Sequence, residues 1–309
     1  AHGGPFNIQL SGGEPTLRSE LPEIIRMGRE KGFTFFQLNT NGLRLAEHPE
    51  YALELKTAGL STVFLQFDGL TDEVYITLRG RALLREKLAA IENCAAAGLG
   101  IVLVPVIAPG VNDGQLGGIL RFAAEHMPDV RGVHFQPISY FGRCGLERPE
   151  KPITIPRMLR LIEAQTNGVM RAQDFAGGGA ENPYCSFHAS YMRRADGSLK
   201  LLAKRSGSSC CCTTSDDSRK FVARQWNGEE EPDYSAEAEL CETSALDEFI
   251  EQARRNTLAV SGMIFQDAYN LDLERLRRCY ICEVDAEFGM VPFCAYNLTD
   301  ACGRALYRR

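Results

Sequence analysis

Short apolar runs alternate with longer amphipathic stretches through the first half of the chain. Runs rich in β-branched and aromatic residues predict strands, whereas apolar residues at three- and four-residue spacing predict helices that end near Gly or Pro. The predicted strands are Asn7–Leu10, Thr34–Leu38, Thr62–Phe67, Ile101–Val106 and Val133–Ile138. The predicted helices between them are Ser19–Lys31, Tyr51–Ala58, Leu83–Ala97 and Gln115–His126.

This alternation predicts repeated βα units around a parallel sheet. The units recur every 27 to 39 residues, and no G-x-G-x-x-G follows the first strand. That absence disfavours a dinucleotide-binding fold and favours a TIM-like (β/α) barrel, whole or partial. The rhythm stops after Gly168, and the Gly-rich stretch Ala176–Ala180 predicts a flexible link. We therefore predict a partial barrel of parallel strands over residues 1–168 and a cysteine-rich C-terminal domain over residues 169–309.

Hydrogen-bonding residues follow the end of each predicted strand. The carboxyl ends of barrel strands meet at one rim, where barrel enzymes place their active sites. A single Asn-Gly or Asp-Gly pair is more typical of an ordinary turn, but five polar strand ends together predict one concave polar site. These strand ends are Ser11–Glu14, Asn39–Gly42, Gln66–Gly69, Gly110–Asp113 and Gln136–Ser139.

The Gly-Gly-Glu-Pro turn over Gly12–Pro15 carries the strongest chemical signal. Two glycines free the backbone, and the proline fixes the exit of the chain. Glu14 is the only carboxylate in the turn, so its side chain and the exposed peptide groups suit a ligand with an ammonium group and a carboxylate, such as an amino-acid moiety. The alternative is a plain strand-to-helix connection with no ligand.

Composition and charge narrow the classes of protein. Of the 309 residues, 44% are hydrophobic and 24% are charged, which is typical of a soluble globular protein, and no apolar run reaches the roughly 18 residues of a membrane span. A net charge of −6 argues against a nucleic-acid-binding surface. No signal peptide is recognised and the cysteines are clustered, so we expect a reducing, cytoplasmic setting.

Nine of the eleven cysteines crowd into the C-terminal half, and only Cys94 and Cys144 precede Cys185. Cys94 lies in a predicted helix and is interpreted as a small buried hydrophobe. A C-x2-C pair directs two thiolates at one metal from a tight turn, but its spacing does not separate zinc from an iron–sulfur cluster. The predicted metal ligands are Cys279, Cys282, Cys294 and Cys302, with Cys185 and the triplet Cys210, Cys211 and Cys212 as further candidates. The triplet also fits a redox-active vicinal thiol.

Several of these motifs together resemble the radical S-adenosylmethionine (AdoMet) enzymes. The strand ends Ser11–Pro15, Asn39–Gly42 and Gln66–Gly69 are similar to the AdoMet-binding side of that superfamily. Longer motifs are similar to one branch, which contains the archaeal tetraether lipid synthases and the TrsS-type radical SAM (seleno)proteins. These motifs are Tyr75–Arg81, Gly110–Asp113, Gln136–Arg143, Phe265–Asn270 and Pro292–Asn297.

The resemblance implies an activity and a set of site residues. Enzymes of this family pass an electron from a [4Fe–4S] cluster to AdoMet, and the resulting 5′-deoxyadenosyl radical abstracts hydrogen from a substrate. The resemblance further implies a small-molecule or lipid substrate, an electron donor such as ferredoxin or flavodoxin, and auxiliary [4Fe–4S] clusters held by C-terminal cysteines. The implied AdoMet-binding residues are Gly12, Gly13 and Glu14 at the methionine end, Asn39 and Asn41 near the ribose, and Asp68 and Gln136 along the pocket.

One departure from the family is clear. The C-x3-C-x2-C signature that holds the main cluster does not occur in the sequence. We therefore expect a chain truncated at its N-terminus, lacking the first βα unit and inactive alone. A noncatalytic AdoMet- or zinc-binding module stays open as an alternative. A metal-dependent barrel enzyme such as an aldolase is disfavoured, because no Lys or His/Asp/Glu set appears at the predicted strand ends.

Overall fold

A computed structural model of the chain describes residues 6–140, 148–177, 182, 184–202, 255–300 and 304–307. The strands of its large sheet are β1 (Ile8–Leu10), β2 (Phe36–Thr40), β3 (Thr62–Gln66), β4 (Gly100–Val104), β5 (Val106–Ile107), β6 (Val130–Pro137), β7 (Ser186–Arg193), β8 (Leu199–Leu201) and β9 (Thr257–Met263). Its helices are α1 (Leu21–Glu30), α2 (Leu43–Glu47), α3 (Pro49–Ala58), α4 (Asp72–Arg79), α5 (Leu84–Ala96), α6 (Leu116–Glu125) and α7 (Ile155–Gln165). Short 3-10 turns cover Pro15–Leu17 and Ala172–Asp174.

The strand order is β1-β2-β3-β4-β6-β9-β7-β8, with β5 beside β6. Strands β1 to β6 pair in parallel, β9 pairs in parallel with β6, and β7 runs antiparallel to β9. The predicted α/β architecture with a mostly parallel sheet is confirmed. Among the described strands β1 and β8 each pair on one side only, so this part of the sheet is open.

The two faces of the sheet have opposite character, because successive side chains on a strand point to opposite sides. One face packs under the helices and forms the main core, which includes Leu38, Leu65, Leu103, Val133 and Val260, all fully buried. The other face, called the polar face below, carries amides, hydroxyls and an imidazole among a few apolar residues. Its members include Gln37, Asn39, Phe64, Gln66, Val102, Val104, His134, Gln136 and Ser261.

The strands after residue 168 continue the sheet. Strand β9 lies against β6 with Val133 opposite Val260, and β7 lies against β9 with Ala189 opposite Val260. The boundary between residues 168 and 169 stays a prediction, although the helix–strand rhythm of the first half does give way there to antiparallel pairing.

A small hairpin follows the large sheet. Its strands are β10 (Cys282–Asp285) and β11 (Gly289–Pro292), with Cys282 opposite Pro292. Helix α8 (Leu273–Arg277) precedes it and helix α9 (Phe293–Tyr296) follows it. The Asp272 carboxylate caps α8 by accepting the backbone N–H groups of Glu274 and Arg275 at 2.9 and 3.1 Å. Over the described residues, no helix has the length and apolarity needed to cross a membrane.

Candidate functional site

The carboxylate of Glu14 joins the turn after β1 to the end of β2. Its Oε1 accepts the Thr16 N–H at 3.1 Å and the hydroxyls of Thr16 and Thr40 at 2.7 Å each. Its Oε2 accepts the Asn41 N–H at 2.7 Å. A carboxylate offers about four acceptor positions. Three donors crowd Oε1 and one reaches Oε2, so Oε2 is the oxygen at which a ligand's ammonium group can add a bond.

The two glycines before Glu14 leave the backbone open. Gly12 has a φ of 140°, in the region that L side chains rarely adopt, so the bend requires glycine at this position. A methyl group built on Gly12 or Gly13 would meet no atom within 4 Å. Both residues are exposed, so their peptide groups face open space beside the Glu14 carboxylate.

The end of β2 brings Asn41 to Glu14 through its backbone. The Asn41 side chain is used locally, because its Oδ1 accepts the Leu43 N–H at 2.9 Å where α2 begins. Asn39 is half-buried on the polar face and accepts a bond from Gln37 Nε2 at 3.0 Å. The predicted group Gly12, Gly13, Glu14 and Asn41 therefore lies together, whereas a ribose contact by either asparagine stays a prediction.

Asp68 is fully buried beneath the strand ends. Its two oxygens accept the Nε and Nη2 of Arg79 at 2.7 and 2.9 Å, and Oδ1 also accepts the Val106 N–H at 3.1 Å. This bidentate pair compensates the cost of taking the carboxylate out of water. Asp68 thus ties α4 to the segment after β4, and direct contact with a ligand stays a prediction.

Asn112 is a second buried residue that connects backbone segments at the same strand ends. Its Nδ2 donates to the backbone oxygens of Asp68 and Val106 at 2.7 Å each, and its Oδ1 accepts the Ala108 N–H at 2.8 Å. Gln136 lies opposite Val106 in the β5–β6 register and is half-buried on the polar face. The ends of β3, β5 and β6 are therefore linked in the described structure, and one concave polar site formed by the five strand ends stays a prediction.

Lys87 is a functional candidate that the sequence analysis missed. It lies on α5 with no exposed surface, and its Nζ donates to the backbone oxygen of Asn41 at 2.5 Å. Burial lowers the pKa of Lys87 to about 8, Arg79 and Arg81 add to this effect, and Asp68 and Glu14 oppose it. In the sequence Lys87 is one charged residue in an amphipathic helix, where charged residues usually face water, so no pattern singles it out.

Three of the predicted metal-ligating cysteines line one small pocket beside the end of β9. Cys185, Cys279 and Cys294 share its wall with Arg275. Cys294 is buried, its Sγ accepts the Gln266 N–H at 3.2 Å, and burial raises its pKa to about 11. The Arg275 guanidinium donates to Cys185 Sγ at 3.0 Å. The pocket thus gathers three cysteines and two arginines, Arg275 and Arg278.

The remaining predicted ligands do not line this pocket. Cys282 begins β10 next to the pocket, and burial raises its pKa. Within the described ranges, no three His, Cys or acidic side chains are grouped closely enough to hold a metal ion. Four further candidates lie outside the described residues: Cys210, Cys211, Cys212 and Cys302. An auxiliary metal centre stays a prediction.

Cys94 is fully buried in the core, so its interpretation as a hydrophobe is confirmed.

Comparison with known proteins defines the class. The model of the radical SAM superfamily matches residues 1–123, which contain the Gly12–Pro15 turn and the strand ends joined to it. Residues 1–123 thus match the radical SAM superfamily.

Individual relatives cover different parts of the chain. It is 33% identical to the 7,8-dihydro-6-hydroxymethylpterin dimethyltransferase of Methanocaldococcus jannaschii over 94% of its own length and 66% of that protein. It is 33% identical to a GTP 3′,8-cyclase of Paenarthrobacter nicotinovorans over 44% of its length and 38% of that protein. The chain thus spans less than two thirds of these relatives. A domain of a pyruvate-formate lyase-activating enzyme from Bacteroides vulgatus superposes with a TM-score of 0.40 at 16% identity, over 54% of this chain and 97% of that one.

Proposed function

We propose that this chain is the AdoMet-binding part of an enzyme that cleaves AdoMet reductively and uses the resulting radical on an organic substrate. The observation that carries the proposal is the Glu14 carboxylate, which is fixed between the turn after β1 and the end of β2. Glu14 Oε2 accepts the ammonium group of the methionine end, and the open Gly12 and Gly13 peptides receive its carboxylate. The ligand therefore fits the donors and acceptors present.

The chain's own residues bind and orient AdoMet in this proposal. When AdoMet is bound next to a reduced [4Fe–4S] cluster, it supplies a carbon radical. No residue of the printed sequence is assigned to that main cluster, because its C-x3-C-x2-C signature does not occur there. The buried Asp68–Arg79 pair and Asn112 keep the neighbouring strand ends in place.

For the substrate we propose a planar nitrogen heterocycle that becomes methylated. The 5′-deoxyadenosyl radical takes a hydrogen atom from the ring, a second AdoMet molecule supplies the methyl group and leaves as S-adenosylhomocysteine, and the reductant supplies the two electrons consumed. Similarity to the pterin dimethyltransferase extends over 94% of the chain and so includes the cysteine-rich part. The polar face supports this choice, since Asn39, Gln66 and Gln136 are half-buried amides that can pair with ring nitrogens and carbonyls. The resemblance to tetraether lipid synthases favours a long apolar substrate instead, which would find few apolar partners among these amides.

The test uses the full-length protein, reconstituted anaerobically with iron and sulfide and reduced with dithionite. The wild type is expected to form 5′-deoxyadenosine from AdoMet. Glu14→Gln is expected to weaken AdoMet binding at least about tenfold, because a charged hydrogen bond is worth roughly 1.5–3 kcal/mol. Glu30→Gln, at an exposed glutamate of α1, is the matched control and should bind normally. Equal affinity in the two variants would remove Glu14 from the site.

The same protein then separates the candidate functions. Addition of 6-hydroxymethyl-7,8-dihydropterin is expected to give a methylated pterin by mass spectrometry. A product from a long-chain lipid alone would support the tetraether-type substrate. Binding of AdoMet without formation of 5′-deoxyadenosine would support the noncatalytic module.

A further inference from the structure

A buried lysine lies directly behind the candidate AdoMet site. Lys87 has no exposed surface, although lysine is almost never fully buried unless it is paired. Its Nζ donates to the backbone oxygen of Asn41 at 2.5 Å and lies 5.9 Å from the centre of the Tyr75 ring. The residue thus places its one strong hydrogen bond on the end of β2.

The same residue of β2 holds the candidate ligand-binding carboxylate. The Asn41 N–H donates to Glu14 Oε2 at 2.7 Å, on the oxygen that retains acceptor capacity. The Thr40 hydroxyl donates to Glu14 Oε1 at 2.7 Å and accepts the Gly42 N–H at 3.0 Å. A continuous path of contacts therefore runs from Lys87 through the Asn41 backbone to Glu14.

The charges around Lys87 form a compact group. The Asp68 carboxylate is paired with Arg79, and Glu14 lies on the opposite side of Asn41. With Lys87 protonated, the carboxylates of Asp68 and Glu14 face the positive charges of Lys87 and Arg79, and the exposed Arg81 adds a third positive charge nearby. A methionine at position 87 could fill much the same volume without the cost of burying a charge. The fold alone therefore does not require lysine here.

We propose that Lys87 is a positioning residue of the AdoMet site, which fixes the Asn41 backbone so that Glu14 keeps its Oε2 directed at the ligand's ammonium group. This inference rests on the proposed AdoMet-binding function. The competing interpretation is that Lys87 is a structural residue, whose hydrogen bond only attaches α5 to the end of β2. The two interpretations differ in whether the effect of Lys87 passes through Glu14.

A double-mutant cycle on the full-length protein tests the difference. AdoMet affinity is measured for the wild type, Lys87→Met, Glu14→Gln and the double variant, with the thermal midpoint recorded for each. Lys87→Met is expected to weaken AdoMet binding about tenfold in the wild type and less than about twofold in the Glu14→Gln background, since residues in one hydrogen-bonded network are not additive. Lys31→Met, at an exposed lysine, is the matched control and should bind as the wild type does.

The outcomes separate this inference from the proposed function. If the wild type itself does not bind AdoMet, the proposed function fails. If it binds, and Lys87→Met has either no effect or the same effect in both backgrounds, the positioning role is wrong. If Lys87→Met yields no folded protein, Lys87→Leu, which also removes the nitrogen donor, takes its place in the cycle with the same expectations.

Discussion

Two carboxylates near the strand ends show how the environment of a residue sets its role. Glu14 is half-buried and has an oxygen with room for another donor. Asp68 has no exposed surface, and both of its oxygens accept hydrogen bonds, from Arg79 and from the Val106 N–H. In the sequence both follow apolar strands and look equivalent. Only the three-dimensional partners distinguish a carboxylate that can bind a ligand from one that holds segments together.

Lys87 gives a pH-dependent prediction. Burial lowers its pKa in the folded protein to about 8 from 10.5, with Arg79 and Arg81 adding to the effect and Asp68 and Glu14 opposing it. Between these two values the unfolded chain binds a proton that the folded chain does not, so stability rises with pH in that window. From pH 7 to 10 the free energy of unfolding of the wild type should rise by about 2.5 kcal/mol relative to that of Lys87→Met.

Denaturant unfolding at a series of pH values measures this difference. A stability difference between the two proteins that stays constant from pH 7 to 10 would show that the pKa of Lys87 is the same in the folded and unfolded states, so that burial does not lower it. A fall in the free energy of unfolding of the wild type relative to that of Lys87→Met over this range would reverse the assigned direction of the pKa shift.

Elements with a strong local pattern were predictable. The helix predicted over Leu83–Ala97 is found at Leu84–Ala96, and the strand predicted over Thr62–Phe67 is found at Thr62–Gln66. The strand predicted over Ile101–Val106 is divided into β4 and β5 at Pro105, because proline cannot donate to a ladder. The strand predicted at Thr34–Leu38 begins and ends two residues later.

Elements stabilised by distant partners were missed. Helix α4 contains Val74, Ile76 and Thr77, which are poor helix formers. Tertiary contacts compensate, since Val74 and Tyr75 are buried and the Tyr75 hydroxyl donates to the Gly69 oxygen at 2.9 Å. Strand β9 pairs with β6 across more than a hundred residues, and no local pattern encodes that partner.

Two adjacent glycines of α6 make a matched prediction. A methyl group on Gly117 would lie 2.4 Å from the backbone oxygen of Gln165 at the end of α7, whereas one on Gly118 would meet only the flexible end of Leu70 at 2.8 Å. Gly117→Ala should therefore force α6 from α7 and lower the free energy of unfolding by about 1–3 kcal/mol. Gly118→Ala should be neutral or slightly stabilising, because alanine favours helix by up to about 1 kcal/mol.

Chemical denaturation of both variants provides the measurement. Since the two positions share one helix, the propensity gain is common to both and only the packing differs. Equal stabilities would mean that α6 and α7 are not in close backbone contact.

At the scale of the whole molecule, the large sheet connects the two candidate sites. The AdoMet site lies at the ends of β1 to β6, and the cysteine pocket follows β9, which is the neighbour of β6. The Ile264 N–H donates to the Cys185 oxygen at 2.8 Å, so the pocket wall is a direct extension of the β7–β9 ladder. The sequence predicted both sites but not that one sheet supports them.

Metal content tests the cysteine pocket. Cys294→Ala is expected to lower the iron and acid-labile sulfide of the reconstituted full-length protein, or its zinc if the site is a zinc site, because a buried thiolate ligand is lost. Cys94→Ala is the matched control, since Cys94 lies on α5 and its side chain is buried in the core. The same metal content in both variants would exclude Cys294 as a ligand.

The position of β9 has a consequence for how the polypeptide acquires its shape. During synthesis β6 emerges well before β9, residues 257–263. The edge of β6 that pairs with β9 is therefore unpaired with it while more than a hundred further residues are made. Exposed strand edges recruit other chains, and pairings between distant segments form slowly. The nascent protein therefore passes through a stage prone to self-association, which ends when β9 is available to pair with β6.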